Sequence, residues 1–221
     1  MPITGLATMP LKIGVAALQG DYAAHAEALR NSDTEIVLVR DTVELADLDG
    51  LVIPGGESTA LLKLLTRGNM FEAVREFATA KPVFGTCAGC IILAKEVLPS
   101  PQRSLAVLDI VVQRNAYGRQ IESRVAVGDC ALSGGVLEMV FIRAPRIVKA
   151  GSRVEILARC GGFPTLVRQS NILAATFHPE LSADRRIHRF FCAMIRSGQP
   201  CLSPGVPTGS MDRSHKETHE R

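Results

Sequence analysis

The sequence predicts an α/β fold of three layers, built on an open, mostly parallel sheet with an antiparallel extension. Three observations lead there. Over residues 12–97 short apolar runs alternate with helical stretches, the rhythm of a parallel sheet with helices on both faces. After Pro101 strand-like runs follow one another without long helices. One last buried strand and one closing amphipathic helix complete the pattern.

The elements read in order as follows. Lys12–Gln19 (K-I-G-V-A-A-L-Q) is continuously apolar after its first residue, as suits a strand covered on both faces. Asp21–Asn31 carries Ala24, Ala28 and Leu29 at helical spacing, and Glu35–Arg40 is β-branched and alternating. Gly50–Ile53 is a third strand, ended by Pro54-Gly55-Gly56. Helices are expected at Ser58–Leu65 and Phe71–Ala80. Pro82–Gly85 is a fourth strand that runs into Thr86-Cys87-Ala88-Gly89 and a helical Cys90–Val97. Leu108–Val112, Ile121–Val127, Val136–Ile142, Val154–Ala158 and Leu166–Gln169 are expected to extend the same sheet in antiparallel or mixed fashion. Asn171–Phe177 is the last buried strand. Asp184–Ser197 is the closing helix, with Ile187, Phe190, Phe191 and Met194 on one face. The organisation is therefore an N-terminal extension over 1–11, one domain over 12–197, and a tail over 198–221 whose Pro, Gly, Ser and mixed charges read as disordered.

Composition narrows the function by exclusion. A net charge of +3 with no basic stripe gives no footprint for nucleic acid. The absence of Trp and the presence of only 2 Tyr argue against an aromatic stacking surface. No apolar run approaches the length of a membrane span, and residues 1–10 lack the pattern of a secretory signal. The 6 cysteines could form a disulfide framework, but a chain this apolar has no need of one. Reduced thiols and a cytoplasmic location are the expectation.

Three short segments carry chemistry. Gly85-Thr86-Cys87-Ala88-Gly89 has the form of a nucleophile elbow, a sharp strand-to-helix turn that presents one side chain above the sheet edge. At a helix N-terminus the macrodipole favours the thiolate, the reactive form. The amide of Ala88 is placed to meet a tetrahedral oxyanion. The alternative is a structural Cys in a Gly-rich turn. Cys87 and Cys90 also spell C-A-G-C, a redox-pair spacing, although three strands precede it and no further zinc ligands accompany it. Thr176-Phe177-His178-Pro179-Glu180 ends the last buried strand, on the rim where open α/β sheets bind ligands. There Glu180 could orient His178 as the third member of a triad, whereas an isolated His is ordinarily a packed or surface residue. Pro54-Gly55-Gly56-Glu57-Ser58 lets backbone approach a ligand and could supply a second oxyanion donor. It reads equally as a phosphate-binding turn or as a plain loop with Ser58 as helix cap. No Gly-Lys-Ser/Thr follows, so it is not a nucleotide P-loop.

An elbow Cys followed much later by His-x-Glu resembles the triad-type (class I) glutamine amidotransferases. Further stretches are similar to the branch that serves pyridoxal 5′-phosphate synthase: Ile13–Asp21, Gly50–Thr59, Gly85–Cys90, Gln113–Gln120, Phe141–Pro145 and Phe177–Leu181. The resemblance implies a flavodoxin-like three-layer sandwich and hydrolysis of L-glutamine to L-glutamate and ammonia through a Cys thioester. Cys87 would attack, His178 would move protons and Glu180 would hold His178. Gly56, Glu57, Ser58, Arg114, Ile142 and Arg143 would line the glutamine site, and Gly56 and Ala88 would form the oxyanion hole. No metal or cofactor is implied. The implied partner is a barrel-type pyridoxal 5′-phosphate synthase subunit that receives the ammonia. A peptide of the Gly-Gly turn is expected to rotate on activation, so that the chain alone would hold a carbonyl toward the hole. Two other functions stay open: a glutaminase for another acceptor synthase, in histidine or purine synthesis for example, and a non-catalytic binding module on the same fold.

Overall fold

The computed structural model describes residues 9–116 and 123–198. The expected extension before Met9, the expected tail beyond Gly198, Tyr117, Gly118, Arg119 and Gln120 of the Gln113–Gln120 stretch, and Ile121 of the expected strand Ile121–Val127 lie outside the described residues.

The parallel half of the fold follows the expected rhythm. Strands β1 (Leu11–Ala16), β2 (Thr34–Val39), β3 (Gly50–Ile53) and β4 (Val83–Thr86) alternate with helices α1 (Tyr22–Leu29), α2 (Ser58–Leu65) and α3 (Met70–Ala80). After β4 the short helix α4 (Ala88–Leu93) leads into β5 (Ala94–Leu98). The later strands are β6 (Leu108–Gln113), β7 (Ser123–Cys130), β8 (Leu137–Ile142), β9 (Arg146–Ala150), β10 (Glu155–Cys160), β11 (Phe163–Gln169) and β12 (Ile172–Ala175), before the closing helix α5 (Arg186–Ser197). The main sheet has nine strands in the order β2-β1-β3-β4-β12-β11-β10-β7-β8. Its first five strands are parallel and the remaining pairings are antiparallel.

Alternating side chains of the parallel strands feed two cores. Leu51, Ile53, Val83 and Ala174 face a layer that contains Leu61, Leu65, Phe71 and Val74 of α2 and α3. Ile13, Val52, Phe84 and Leu173 face the opposite layer, with Leu29 of α1 and Ile187, Phe191 and Met194 of α5. The three layers are thus helix, sheet, helix, as expected. No helix among the described residues is long and apolar enough to cross a membrane.

Two expectations are corrected. The helical run over Cys90–Val97 stops at Leu93 and continues as β5. Extending the helix would place Lys95 and Glu96 one turn after the buried Ile91 and Ile92, driving two charges into the core. As a strand the same residues leave Lys95 and Glu96 exposed and keep Ala94 and Val97 buried. Secondly, not all later strands extend the main sheet: β5, β6 and β9 form a separate three-stranded sheet. Strand β9 was not anticipated because its five residues, R-I-V-K-A, show no clear alternation.

Phe191 is fully buried against Phe84, with ring centroids 5.6 Å apart. Phe191→Ala is expected to lower stability by about 3–5 kcal/mol. Val127→Ala, at a strand position 65% exposed, should stay within about 0.5 kcal/mol of wild type. Denaturant midpoints at constant m-value measure both.

Candidate active site

The three chemistry-bearing segments lie side by side because the strands before them do. β3 pairs with β4 and β4 with β12, all parallel, so their C-terminal ends open on one rim. Gly55-Gly56 follows β3, Cys87 follows β4 and His178 follows β12. The backbone N–H of Cys87 donates to Ala175 at 2.9 Å and that of His178 to Val140 at 2.8 Å, which ties both residues to the sheet.

Cys87 adopts φ 47°, ψ −102°, a strained conformation for a non-glycine residue of the kind held at functional sites. The tight turn needs small neighbours. A Cβ on Gly85 would lie 2.5 Å from Leu93 Cδ1, and one on Gly89 would overlap the carbonyl of Ile53. The elbow does not leave the thiol open to bulk solvent: Cys87 is only 4% exposed. It reaches outside through a cleft of ≈ 700 Å³ that it lines together with His178. Its Sγ lies 3.7 Å from the carbonyl oxygen of Ile142.

His178 lies beside Cys87 under the Gly-Gly turn and hydrogen-bonds through Nδ1 to Glu180 Oε1 at 2.7 Å. Burial is the largest influence on the imidazole and opposes its charge, but the neighbouring Cys87 and Glu180 together outweigh it and raise its pKa to about 10. Glu180 is buried too, which favours its neutral form. The hydrogen bond from His178 and the close approach of His25 prevail and hold its pKa at about 2. The arrangement is therefore a buried Cys–His–Glu series, hydrogen-bonded between His178 and Glu180, with a charged carboxylate at its end.

The same cleft is lined by Gly56, Glu57, Ser58, Arg114, Ile142 and Arg143, all six of the expected substrate residues. Their roles differ in detail from the expectation. Glu57, not Ser58, caps α2, its carboxylate accepting from Thr59 at 2.8 Å and Ala60 at 2.7 Å. That carboxylate is thus engaged, and the backbone of Glu57 is engaged too, its N–H with Gln19 and its carbonyl with the N–H of Leu61. Arg114 is held by Gln102 Oε1 at 2.5 Å and Thr59 Oγ1 at 3.2 Å. Arg143 has φ 45°, which sets it apart from the strand that ends at Ile142. Ala88 is fully buried at the first position of α4.

The Gly-Gly turn is packed directly over the pair. A Cβ on Gly55 would come within 2.5 Å of His178 Cε1 and 3.2 Å of Cys87 Cβ. The carbonyl of Gly55 accepts from Gln19 Nε2 at 3.1 Å, and Gln19 Oε1 accepts from Glu57 N–H at 3.2 Å. Where a carbonyl of the turn was expected toward the hole, that of Gly55 is committed to Gln19. Peptide planarity then leaves the Gly56 N–H on the side away from Gln19, with Gly56 at φ 121°.

The redox-pair alternative fails on accessibility. Cys90 is completely buried in the core beside α2, and burial pushes its thiol far up. The ligand atoms of Asp21, His178 and Glu180 lie within 4.8 Å of one another, a spacing open to a cation. There, however, Glu180 and His178 Nδ1 already satisfy each other, and Glu180 Oε2 faces His25 at 3.1 Å.

A family model described as the SNO glutamine amidotransferase family matches residues 15–197. The chain belongs to this family. It is 54% identical over 188 residues to the pyridoxal 5′-phosphate synthase subunit PdxT of Koribacter versatilis, covering 85% of this chain and 97% of that one. It is 47% identical over 188 residues to the protein of the same name from Thermotoga maritima, covering 84% and 100%. A solved structure titled as a glutamine amidotransferase superposes with a TM-score of 0.77 at 43% identity, covering 83% of this chain and 98% of that chain. The expected fold and family thus stand.

Sequence reasoning missed His25, Thr86, Gln19 and Gln102 as neighbours of the site. His25 and Gln102 sit in segments whose local pattern marks nothing; Gln19 and Thr86 were seen only as parts of longer motifs.

The raised pKa of His178 gives a linkage prediction. Its folded value lies above its unfolded value near 6.5, so its stabilising contribution is complete below that pH and disappears as pH rises through about 10. The stability difference between wild type and His178→Gln should therefore be largest near pH 6 and shrink steadily toward pH 10, as followed by urea unfolding at each pH.

Proposed function

We propose that this chain hydrolyses L-glutamine to L-glutamate and ammonia in the cytoplasm, and that it delivers the ammonia to a barrel-type pyridoxal 5′-phosphate synthase subunit. The observation that carries the chemistry is the meeting of Cys87 with the hydrogen-bonded pair His178–Glu180 at the base of a cleft lined by two arginines. The choice of acceptor is supported by relatives whose name is pyridoxal 5′-phosphate synthase subunit.

In this mechanism Cys87 Sγ attacks the side-chain carboxamide carbon of glutamine, and the new C–S bond produces a tetrahedral oxyanion. The N–H groups of Gly56 and Ala88 receive that oxyanion. One donor of this type is worth about 2.7–4 kcal/mol of barrier. The C–N bond then breaks while His178 gives a proton to the departing nitrogen, leaving a thioester and ammonia. Water attacks the thioester, His178 takes its proton, and the C–S bond breaks to release glutamate and restore the thiolate. Glu180 keeps the imidazole oriented and supports its charged form throughout. Arg143 and Arg114 bind the α-carboxylate of glutamine, the charge-assisted contact that a guanidinium fork makes best. Glu57, Ser58 and Ile142 complete the walls.

Ammonia release from glutamine, assayed with and without the synthase, tests the proposal. Cys87→Ala should abolish it, and Cys90→Ala should keep most of it because Cys90 only fills core space. Equal loss in two folded variants would overturn the role given to Cys87. Arg143→Ala should raise KM for glutamine about ten-fold or more, the consequence of losing roughly 1.5–3 kcal/mol of charge-assisted hydrogen bonding. Arg143→Lys should recover part of this, and unchanged KM in both variants removes Arg143 from the site.

A further inference from the structure

Behind Glu180 lies a buried polar cluster that the proposed mechanism leaves unused. His25 of α1 is completely buried, and His188 of α5 nearly so. His25 Nε2 stands 3.1 Å from Glu180 Oε2 and 3.0 Å from Thr86 Oγ1. On its other side His25 Nδ1 stands 3.1 Å from His188 Nε2. His188 Nδ1 and Glu180 Oε2 are both buried without a hydrogen bond, so the approach of His25 to Glu180 is an ionic contact and its aligned hydrogen bond is the one to Thr86. The surroundings are apolar: Phe84 meets both rings edge-on, at 6.1 Å and 6.0 Å between centroids.

The positions of the protons follow from these contacts. A carboxylate oxygen only accepts, so the nitrogen facing Glu180 Oε2 must carry hydrogen. Burial holds His188 well below its ordinary range, at about 3, so that ring has a single N–H. Placed on Nε2, this N–H donates to His25 Nδ1 and leaves only a lone pair unpartnered at His188 Nδ1. The reverse arrangement would set a bare nitrogen of His25 against the carboxylate and bury an unpaired N–H on His188, and both faults cost free energy. The favoured chain of donors therefore runs from His188 through His25 to Glu180, and on the other oxygen from His178 to Glu180.

Building on the proposed triad, we infer that His25 is a positioning residue for Glu180: its Nε2–H faces the second carboxylate oxygen at 3.1 Å while bonding to Thr86, and His188 fixes the tautomer that makes His25 a donor. With Oε1 bound to His178 and Oε2 in ionic contact with His25, neither oxygen of the carboxylate is free to swing away. The same His25 nitrogen touches Thr86, the residue immediately before Cys87, so one side chain spans the nucleophile's strand and the base's carboxylate. Small misplacements of catalytic groups are costly in rate, which gives this anchoring a kinetic consequence separate from fold stability.

The test combines kinetics with spectroscopy on the full chain. Glutaminase activity in the presence of the synthase is measured for wild type, Cys87→Ala, His25→Leu and His25→Gln, with thermal unfolding of each. His25→Leu is expected to lower kcat by about ten-fold to a hundred-fold, the range set by one lost polar contact to a buried charged group, with KM for glutamine nearly unchanged. His25→Gln, whose amide N–H can reach the same position, should regain most of that kcat. A folded His25→Leu with wild-type kcat overturns the inference, as does a His25→Gln no faster than His25→Leu. Nitrogen-15 spectra of the histidine rings in wild type should show both His25 and His188 protonated on Nε2, and an Nδ1-protonated His25 would refute the donor role. This arm decides the question even if His25→Leu does not fold. An inactive wild type would instead count against the proposed glutaminase function, and the ring spectra would still judge the positioning of Glu180.

Discussion

The site depends first on the parallel pairing of β3, β4 and β12. Thr86 faces Ala175 and Gly85 faces both Ile53 and Ala174 in register, so three strands that are distant in sequence end together. Each end then contributes one part: the Gly-Gly turn, Cys87 and His178. Because side chains alternate faces along a strand, a one-residue slip of β12 would turn its core set over. The continuous burial of β3, β4 and β12 on both faces makes that slip costly. The placement of the reacting groups is thus a by-product of burying apolar strands.

Strain at Cys87 is supported by the same framework. A non-glycine residue at φ 47° costs on the order of 1–3 kcal/mol and persists only where its surroundings over-determine it. Here the backbone N–H of Cys87 is bonded to Ala175 and its carbonyl to the N–H of Ile91. Gly85 and Gly89 let strand and helix close to a distance that side chains would forbid. The thiol is consequently held over His178 without freedom to turn into the core that takes Cys90.

Charge placement follows from burial combined with hydrogen bonding. Glu180 lies in a region from which water is absent on the scale of its side chain, where an unpaired carboxylate would be prohibitive. Two histidines face its two oxygens, and that pairing lets burial and charge coexist. The imidazole of His178 is charged at the expense of the same desolvation, compensated by Cys87 and Glu180. The result is a rigid electrostatic unit reaching the surface only through the cleft. Arg114, held in place by Gln102 and Thr59, shows the same preorganisation at the cleft wall.

The sequence by itself determined the parallel half of the fold and the three segments at its rim. Short apolar runs ending in Gly55-Gly56, Cys87 and His178 are local signals, since two-faced burial and sharp turns restrict which residue types fit. What only the tertiary structure decided is everything set by contacts far apart in the chain. The later strands divide between two sheets because pairing partners, not alternation alone, choose where a strand goes, and β5 ends a helix because Lys95 and Glu96 must reach water. Glu57 rather than Ser58 caps α2 because the turn from β3 brings its carboxylate over the first amides. The His188–His25–Glu180 contacts have no local trace at all: a histidine on an apolar helix face looks the same whether it packs or donates. Only the meeting of α1, α5 and the rim of the sheet gives those nitrogens a carboxylate to hold.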